Sequence, residues 1–482
     1  MKKVFSIALI ASIFLSSCNS YLDVKPKGFT IPELLNDYQL LLNDQGLIRA
    51  SPVFSNYITD NILSGTRVDV NRGASFDYYS TFQKRLYTFE HGPIFEDGQY
   101  EIYWETAYSH IFTFNVIINN VLAAKDGKES EKKRVWAEAK VGRAFEYLSL
   151  VNIYSKHYDK ATADTDLGVP LVLTEDITKS YERVSVAKIY ELVRRDLEDA
   201  LPHLATHSNN KYQALKSVGY GFLSRMALYQ GDFKAALENA SEALKLNDYL
   251  EDYNLYTTKE KSTWGRVHLK TDVDEEFPEI RDNNEVLWGR MGTASNGSLN
   301  TEVYASNDLI DTYKRNLDAD AKDMRYELFF CRDSASFGAN VIRFPGRVLW
   351  APWIDFNTGF GTPELYLIAA EAEARIGSTA EALRLINTLR DKRIENNKHI
   401  TGLNKAQTLQ LVLDERNREM PLIASTRLID LKRLHKTGDL TKDIVHYVEG
   451  KEFRMSSGDA RMILPVAPKA LDINPTMPQY ER

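Results

Sequence analysis

The stretch GYGFLSRMALYQGDFKAALENASEALKLN, residues 219–247, is the part of the chain that decides the fold. Apolar and small residues recur at helical spacing on both sides of Gly231-Asp232-Phe233, which is typical of two helices joined by a tight turn. Small side chains on the facing surfaces let two helices approach closely. The stretch therefore predicts a closely packed helix pair. The residues that carry the pattern are Leu223 and Ser224 before the turn and Ala236, Leu237, Ala243, Leu244 and Leu246 after it.

The same pattern occurs again in ELYLIAAEAEARIGSTAEALRLINTLRDKR, residues 364–393. Gly377-Ser378-Thr379 is the predicted turn, with Ala370 on the first helix and Ala382 and Leu383 on the second. Both copies have the spacing of tetratricopeptide helix pairs. A long stretch separates them, so they do not form a tandem array, which is unusual for a plain solenoid.

The rest of the chain divides into helical and irregular segments. Helical periodicity dominates WETAYSHIFTFNVIINNVL (residues 104–122) and WAEAKVGRAFEYLSLVNIY (residues 136–154), and it resumes from about Ser185. Pro170 excludes a helix in GVPLVL, residues 168–173. Residues 54–99 and 248–362 contain many turn residues and few helical stripes. We therefore predict a mostly α fold, in which tetratricopeptide-like helix pairs carry long irregular loops and few short strands. Such loops on a compact scaffold are usually functional.

The amino terminus has the features of an export signal. Met1, Lys2 and Lys3 precede an apolar stretch that ends at Leu15 and is too short to span a bilayer. The following Ser16-Ser17-Cys18 completes a segment similar to the bacterial lipobox, in which the cysteine thiol is acylated and becomes the first mature residue. We therefore predict a lipoprotein signal peptide over residues 1–17, lipidation of Cys18 and a single domain over residues 18–482.

Composition excludes several classes of protein. The chain has 482 residues, a formal net charge of −7 and 2 cysteines. If Cys18 is lipidated, Cys331 has no partner for an intrachain disulfide, so stability must come from a packed core, which a chain of this length can form. No later segment approaches the roughly 20 apolar residues of a membrane helix. The acidic balance and the lack of basic clusters argue against a nucleic-acid partner.

Several clusters resemble catalytic or metal sites, but each has a simpler structural interpretation. Glu415 and Asp430 could act as an acid–base pair, yet they lie in a run of alternating charges that favours ion pairs between two helices. HLATH, residues 203–207, has leucine where zinc proteases need glutamate, and DADAKD, residues 318–323, lacks the EF-hand glycine and terminal glutamate. No G-x-S-x-G or Walker motif occurs. We predict no metal site and no cofactor, and a binding protein in preference to an enzyme.

At this point the segments, taken in order, resemble the SusD/RagB-like family of outer-membrane nutrient-binding lipoproteins. The resemblance covers nearly the whole chain, and the order of the segments carries it more than any one of them. One departure is that LIASTR, which ends at Arg427, lacks the Glu-Gly pair that the family usually carries before this arginine. The matching segments are CNSYLDVKP, WAEAKVGRAFEYLSLVNIYSKHYD with GVPLVL, GDFKAAL, AEAEARIGSTAEALRLINTLRDKR, DERNREM with TRLIDLKR, and ILPVAPKALDINPTMPQ.

The resemblance implies helix pairs of tetratricopeptide type at the back of the molecule and a ligand face made of loops. It also implies a cell-surface position above a TonB-dependent transporter barrel of the SusC type. In that arrangement the lipoprotein captures an oligomer, commonly a glycan, and covers the transporter during uptake. We place the ligand-face loops at about residues 54–99 and 248–362.

Aromatic residues in these loops are the candidate ligand contacts. Sugars expose C–H faces that stack on aromatic rings, while their hydroxyl groups bind arginine, asparagine, aspartate and glutamine. Burial under the loops, or contact with the barrel, is an alternative for each ring. The candidates are Trp264, Trp288 and Arg290 in two W-G-R motifs, Trp350, Trp353 and Asp355 around Pro352, and Tyr78 and Tyr79, where the family often places ligand-contacting groups.

The sequence thus predicts a lipid-anchored outer-membrane protein that faces the cell exterior, binds an oligosaccharide and delivers it to a SusC-type transporter. Two alternatives stay open. The same uptake system could carry peptide or another non-glycan cargo. A surface glycosidase that uses paired carboxylates is also compatible with 67 acidic residues, although no catalytic motif supports it.

Overall fold

The computed structural model describes residues 32–66, 74–99, 101–176, 179–258, 267–292, 303–337, 340–350 and 356–482. The signal peptide and Cys18 lie outside these ranges, as do Trp264, Trp353 and Asp355. Within the described ranges the chain is mostly helical, which confirms the predicted fold class. The helices are α1 (Leu35–Leu42), α2 (Thr81–Tyr87), α3 (Ile102–Asn120), α4 (Glu129–Tyr154), α5 (Val186–Ala200), α6 (Lys216–Gln230), α7 (Phe233–Leu246), α8 (Asn307–Lys314), α9 (Met324–Phe329), α10 (Thr362–Ile376), α11 (Thr379–Asp391), α12 (Lys405–Glu419), α13 (Thr426–Thr437) and α14 (Pro468–Ile473).

Both predicted helix pairs are present, and they are neighbours in space. Helix α6 packs against α7, and α10 packs against α11. Helix α7 also packs against α10, so the two pairs form one continuous stack in spite of the long stretch between them. Helices α3, α4 and α5 extend this stack by packing in chain order, and α5 contacts α6. The dispersed repeats of the sequence are therefore a contiguous repeat array interrupted by an insertion.

Two glycines make the helix packing possible. Gly231 ends α6 in the left-handed conformation at φ 73°, and the Asp232 side chain then accepts a hydrogen bond from the backbone N–H of Ala235 to begin α7. Gly142 lies inside α4, where an added Cβ would be 2.3 Å from Cζ of Phe114 on α3. Glycine at this position therefore sets how closely α3 and α4 approach.

The strands are short apart from one long hairpin, and most lie in the two predicted loop regions. They are β1 (Arg49–Ser51), β2 (Ile62–Leu63), β3 (Leu167–Pro170), β4 (Arg183–Ser185), β5 (Tyr256–Thr258), β6 (Val267–Leu269), β7 (Val286–Trp288), β8 (Met291–Gly292), β9 (Tyr304–Ala305), β10 (Lys322–Asp323), β11 (Phe330–Phe337), β12 (Asn340–Trp350), β13 (Phe360–Gly361), β14 (Ile394–Glu395), β15 (Ile444–Val448) and β16 (Lys451–Met455). Pro170 ends a strand, which agrees with the predicted exclusion of a helix there. Three short helices, α2, α8 and α9, also occur in the two regions predicted to be loops.

The run of alternating charges near the carboxyl terminus forms the predicted ion pairs between helices. Arg416 on α12 donates to Asp430 on α13 at 2.9 Å, and Arg433 on α13 donates to Glu371 on α10 at 2.7 Å. Glu415 accepts from Arg325 on α9 at 2.6 Å. All of these side chains are buried. Removing one partner would leave an uncompensated charge in the core.

The largest group of buried apolar side chains runs from Ala50 to Met477 in sequence, so both ends of the described chain contribute to one core. None of the helices in the described part of the chain combines the length and the apolarity that crossing a bilayer requires.

Candidate ligand-binding face

The structure brings the two predicted loop regions together in one four-stranded sheet. Its strand order is β11-β12-β9-β2, so β2 from the first region pairs with β9 from the second. Four side chains of the sheet form a small buried apolar cluster: Tyr304, Cys331, Phe344 and Leu349. We call this sheet, together with the adjoining residues 74–87, the loop face.

Cys331 contributes packing to this cluster and not chemistry. It is 5% exposed, and burial raises the pKa of its thiol to about 12. A reactive cysteine needs a lowered pKa and access to solvent, and Cys331 has neither.

Tyr78 is the exposed aromatic ring of the loop face. It ends a 3-10 turn formed by residues 76–78, and its side chain is 60% exposed. The adjacent Tyr79 points the other way and is 5% exposed, with its ring 5.1 Å from that of Tyr57 and 6.1 Å from that of Tyr87. Phe76 lies 5.7 Å from Tyr79. The half-buried ring of Phe76 and the buried ring of Tyr79 thus hold the backbone that presents Tyr78.

Polar contacts further restrict this turn. The side chain of Gln83 accepts from the backbone N–H of Ser80 at 2.8 Å and donates to the hydroxyl of Tyr57 at 3.0 Å. The ammonium group of Lys84 donates to the carbonyl oxygen of Asp77 at 3.1 Å. Tyr78 therefore sits on a fixed base, and a ring held in this way loses little conformational freedom when a flat ligand stacks on it.

Asp60 fixes the segment that leads into β2. Both of its carboxylate oxygens accept from Arg427 at 2.7 Å, and Lys442 approaches at 2.8 Å. Before Arg427, Ala424 adopts φ 48°, and its carbonyl oxygen accepts from the side chain of Asn56 at 2.9 Å. The arginine is therefore well seated even though the Glu-Gly pair before it is missing.

Two of the candidate residues, Trp288 and Arg290, lie in the core. Trp288 is 1% exposed, its indole N–H donates to the carbonyl oxygen of Tyr212 at 3.1 Å, and its ring contacts those of Phe145 and Phe222. The guanidinium of Arg290 lies 3.5 Å from the Trp288 ring centre, and burial lowers its pKa to about 9. The W-G-R motif at this position places a cation on a buried ring.

Trp350 is also buried, at 2% exposure, with its ring 4.6 Å from that of Phe356. Of the candidate ligand contacts that the structure describes, Tyr78 alone presents an exposed ring. A ligand at the outer surface cannot contact four of the candidates, because their side chains are buried: Tyr79, Trp288, Arg290 and Trp350.

Sequence reasoning missed a second exposed ring beside the same aromatic cluster. Tyr447 on β15 is 49% exposed, and its carbonyl oxygen accepts from the hydroxyl of Tyr87 at 3.4 Å. The neighbouring His446 stacks on Tyr87 at 4.1 Å between ring centres. Tyr447 lies in no motif and far along the chain from Tyr78, so no signal in the sequence pointed to it.

The two carboxylates considered as an acid–base pair are held by arginines. Burial alone would raise the pKa of Glu415, but the guanidinium groups of Arg325, Arg418 and Arg390 outweigh it and hold that pKa far below its usual range. Arg416 and Arg433 likewise overcome the effect of burial and lower the pKa of Asp430. A general acid needs a raised pKa, so neither residue suits that role.

Two protein-family models match the chain. One, described as starch-binding and associating with the outer membrane, matches residues 20–228, and the other, described as the SusD family, matches residues 362–481. Residues 229–361, which contain β5 to β13, lie between the two matches. No curated protein matches the chain.

Solved structures share the fold over nearly the whole chain. A SusD superfamily protein from Bacteroides thetaiotaomicron is 19% identical with a TM-score of 0.67, covering 93% of this chain and 100% of its own. A SusD-like carbohydrate binding protein from Bacteroides vulgatus is 18% identical with a TM-score of 0.60, covering 92% and 97%. A SusD superfamily protein from Parabacteroides distasonis is 14% identical with a TM-score of 0.63, covering 92% and 98%.

Proposed function

This chain belongs to the SusD/RagB-like family, and from that membership we propose that it is a cell-surface lipoprotein that captures a nutrient glycan. It delivers the glycan to a TonB-dependent outer-membrane transporter of the SusC type. The description of the first family model and the carbohydrate binding protein among the structural neighbours support a sugar as the cargo.

The lipobox-like segment at Leu15-Ser16-Ser17-Cys18 supports the anchor. Residues 1–17 would be removed, and residues 18–482 would remain attached to the outer membrane through acylated Cys18, facing the cell exterior. Mass spectrometry of the amino-terminal peptide tests this directly. A diacylated or triacylated Cys18 is expected, and an unmodified amino terminus in the cytosol would refute it.

The observation that carries the proposal is the exposed ring of Tyr78 on its fixed aromatic base, at the face where the two loop regions meet. A binding protein for sugars needs a flat apolar surface that is held in place before the ligand arrives. The acidic groups weighed as catalysts are instead held by arginines in the scaffold. This combination favours capture of an intact oligomer.

Calorimetry of the full chain against a panel of neutral and charged glycans tests the cargo. Binding to at least one glycan without product formation is expected. Binding confined to peptides would overturn the sugar cargo, and release of shortened products would favour a glycosidase.

Once a glycan is identified, Tyr78→Ala tests the face. Loss of one stacked ring is expected to weaken binding about 2- to 12-fold. Tyr78→Phe is the matched control, because it keeps the ring and should keep most of the affinity. Equal affinities for all three proteins would remove Tyr78 from the site. Co-purification of the lipidated protein with a barrel transporter would test the delivery step.

A further inference from the structure

A cavity of about 160 Å³ lies inside the fold. Its walls come from helices α4 and α6, strands β11 and β12, the segment 356–364, and the turn between α12 and α13. A single water molecule needs about 10–15 Å³ measured in the same way, so the cavity has room for far more than one. Tyr78 does not line it, so it is separate from the exposed ring of the loop face.

Aromatic rings make up much of the wall, and they are fixed by one another. Phe329 and Phe356 meet edge to face at 5.5 Å, Phe356 lies 4.6 Å from Trp350, and Tyr253 meets Phe277 at 5.4 Å. Rings held in this way offer flat surfaces that need no rearrangement to receive a ligand.

Three side chains on the wall carry polar groups without a hydrogen-bond partner among the described residues. The hydroxyls of Tyr229 and Tyr253 and the side-chain N–H₂ of Asn283 make no hydrogen bond to any residue in the described ranges, although these residues are only 5%, 8% and 8% exposed. By contrast, the hydroxyl of Tyr313, on the same wall, donates to the carbonyl oxygen of Arg418 at 2.7 Å. These atoms are not fully enclosed by protein, so they are available to hydrogen-bond a ligand in the cavity.

The charged groups on the wall are already paired. Arg225 binds Glu364 at 2.5 Å, and Arg325 binds Glu419 at 2.8 Å. Glu285 binds Arg393 at 2.5 Å. An ionic ligand would have to compete with these pairs, whereas a neutral one would meet hydroxyl and amide groups that have no partner among the described residues.

We propose that this cavity is a subsite for one neutral sugar ring. The ring faces lie against the aromatic wall, and the hydroxyls bond to Tyr229, Tyr253 and Asn283. This inference rests on the proposed function and narrows its substrate class to glycans that contain an uncharged sugar unit.

The test compares the full chain with the double variant Tyr229→Phe/Tyr253→Phe. Saturation-transfer NMR and calorimetry are used with glucose, galactose, mannose, xylose and N-acetylglucosamine, and with glucuronic acid and sialic acid as charged probes. At least one neutral monosaccharide should bind, and the variant should bind it about 10-fold more weakly, since two hydrogen bonds are lost. Its stability should not fall, because neither hydroxyl has a hydrogen-bond partner among the described residues.

Tyr108→Phe is the matched control. Its hydroxyl donates to the carbonyl oxygen of Pro170 at 2.9 Å and does not line the cavity. This variant should lose stability and keep its sugar affinity, the reverse of the double variant.

Preferential binding of a charged sugar, or unchanged affinity in the double variant, would overturn the subsite. These results are distinguishable from failure of the proposed function. Oligosaccharides that still bind through Tyr78 with no monosaccharide bound would refute only the subsite, whereas silence toward every glycan would refute both.

Discussion

Glu101 and Glu146, beside the amino-terminal helices α3 and α4, are buried as fully as Glu371 and Glu415 in the carboxyl-terminal helices α10 and α12, yet their surroundings differ. Glu101 accepts from the backbone N–H groups of Tyr103 at 2.6 Å and Trp104 at 2.8 Å, and also from the Tyr154 hydroxyl. Glu146 lies 2.8 Å from Nδ1 of His110. Glu371 and Glu415 face arginines instead.

The different surroundings shift the pKa values of the two pairs of glutamates in opposite directions. Burial raises the pKa of Glu101 to about 7, and it also raises that of Glu146, because hydrogen bonds only partly compensate for lost water. In Glu371 and Glu415 the arginines outweigh burial and lower the pKa. Helices α10, α12 and α13 are thus joined by buried ion pairs, whereas these two glutamates of α3 and α4 are held by hydrogen bonds.

Removing a carboxylate from the buried ion pairs of the carboxyl-terminal helices should have the largest effect on stability. Glu415→Gln leaves Arg325, Arg390 and Arg418 without their shared partner in the core, and should lower the free energy of unfolding by about 3–5 kcal/mol in urea denaturation. Glu381→Gln is the control, because its partner Arg384 is exposed, and it should cost under about 1 kcal/mol. Equal costs would show that burial of the charges does not matter.

The pH dependence of stability should distinguish glutamates with a raised pKa, such as Glu101, from those paired with arginine. The unfolded Glu101 carboxyl ionises near its ordinary pKa, whereas the folded one keeps its proton up to about pH 7. Rising pH between these values therefore favours unfolding, and Glu101 should lower stability by about 3 kcal/mol across the window. Glu101→Gln should remove that loss.

Denaturant midpoints of the wild type and Glu101→Gln, measured from about pH 4.5 to about pH 7.5, check this prediction. Glu129→Gln, at an exposed carboxyl on α4, is the control and should leave the pH profile unchanged. Parallel profiles for the wild type and Glu101→Gln would contradict the raised pKa.

Packing in the amino-terminal helices can be tested at Gly142. Gly142→Ala forces a methyl group into the ring of Phe114, and overpacking of this kind costs about 1–3 kcal/mol. Phe114→Leu in the same chain should recover part of the loss, so a double-mutant cycle of unfolding free energies should show coupling. Additive effects would mean that the two side chains do not determine the approach of α3 and α4.

The smallest change in stability is expected at Ala424, which precedes α13 among the carboxyl-terminal helices. Ala424 has φ 48°, a left-handed conformation that favours glycine. Ala424→Gly should raise stability by up to about 1 kcal/mol, since relief of strain is partly offset by a more flexible unfolded chain. Thermal unfolding measures the shift, and a clear decrease would show that Ala424 is not strained.

Local sequence patterns were sufficient for most of the scaffold. The turn at Gly231, the exclusion of a helix at Pro170 and the Arg416–Asp430 ion pair between two helices each depend on residues close in sequence, and the structure has them as predicted. The ligand contacts could not be assigned in the same way. The sequence Trp-Gly-Arg is the same whether the tryptophan side chain is buried or exposed. The structure shows that Trp288 is buried.

The sequence by itself determined the helix pairs, their turns and the family resemblance, because periodicity and backbone preferences act over a few residues. The tertiary structure alone decided that the two pairs stack, that Asp60 meets Arg427, that Tyr78 and Tyr447 adjoin one aromatic cluster, and that aromatic and polar side chains from distant segments line one cavity. These outcomes depend on contacts between distant parts of the chain, whose free energies come from burial and pairing that no local pattern records.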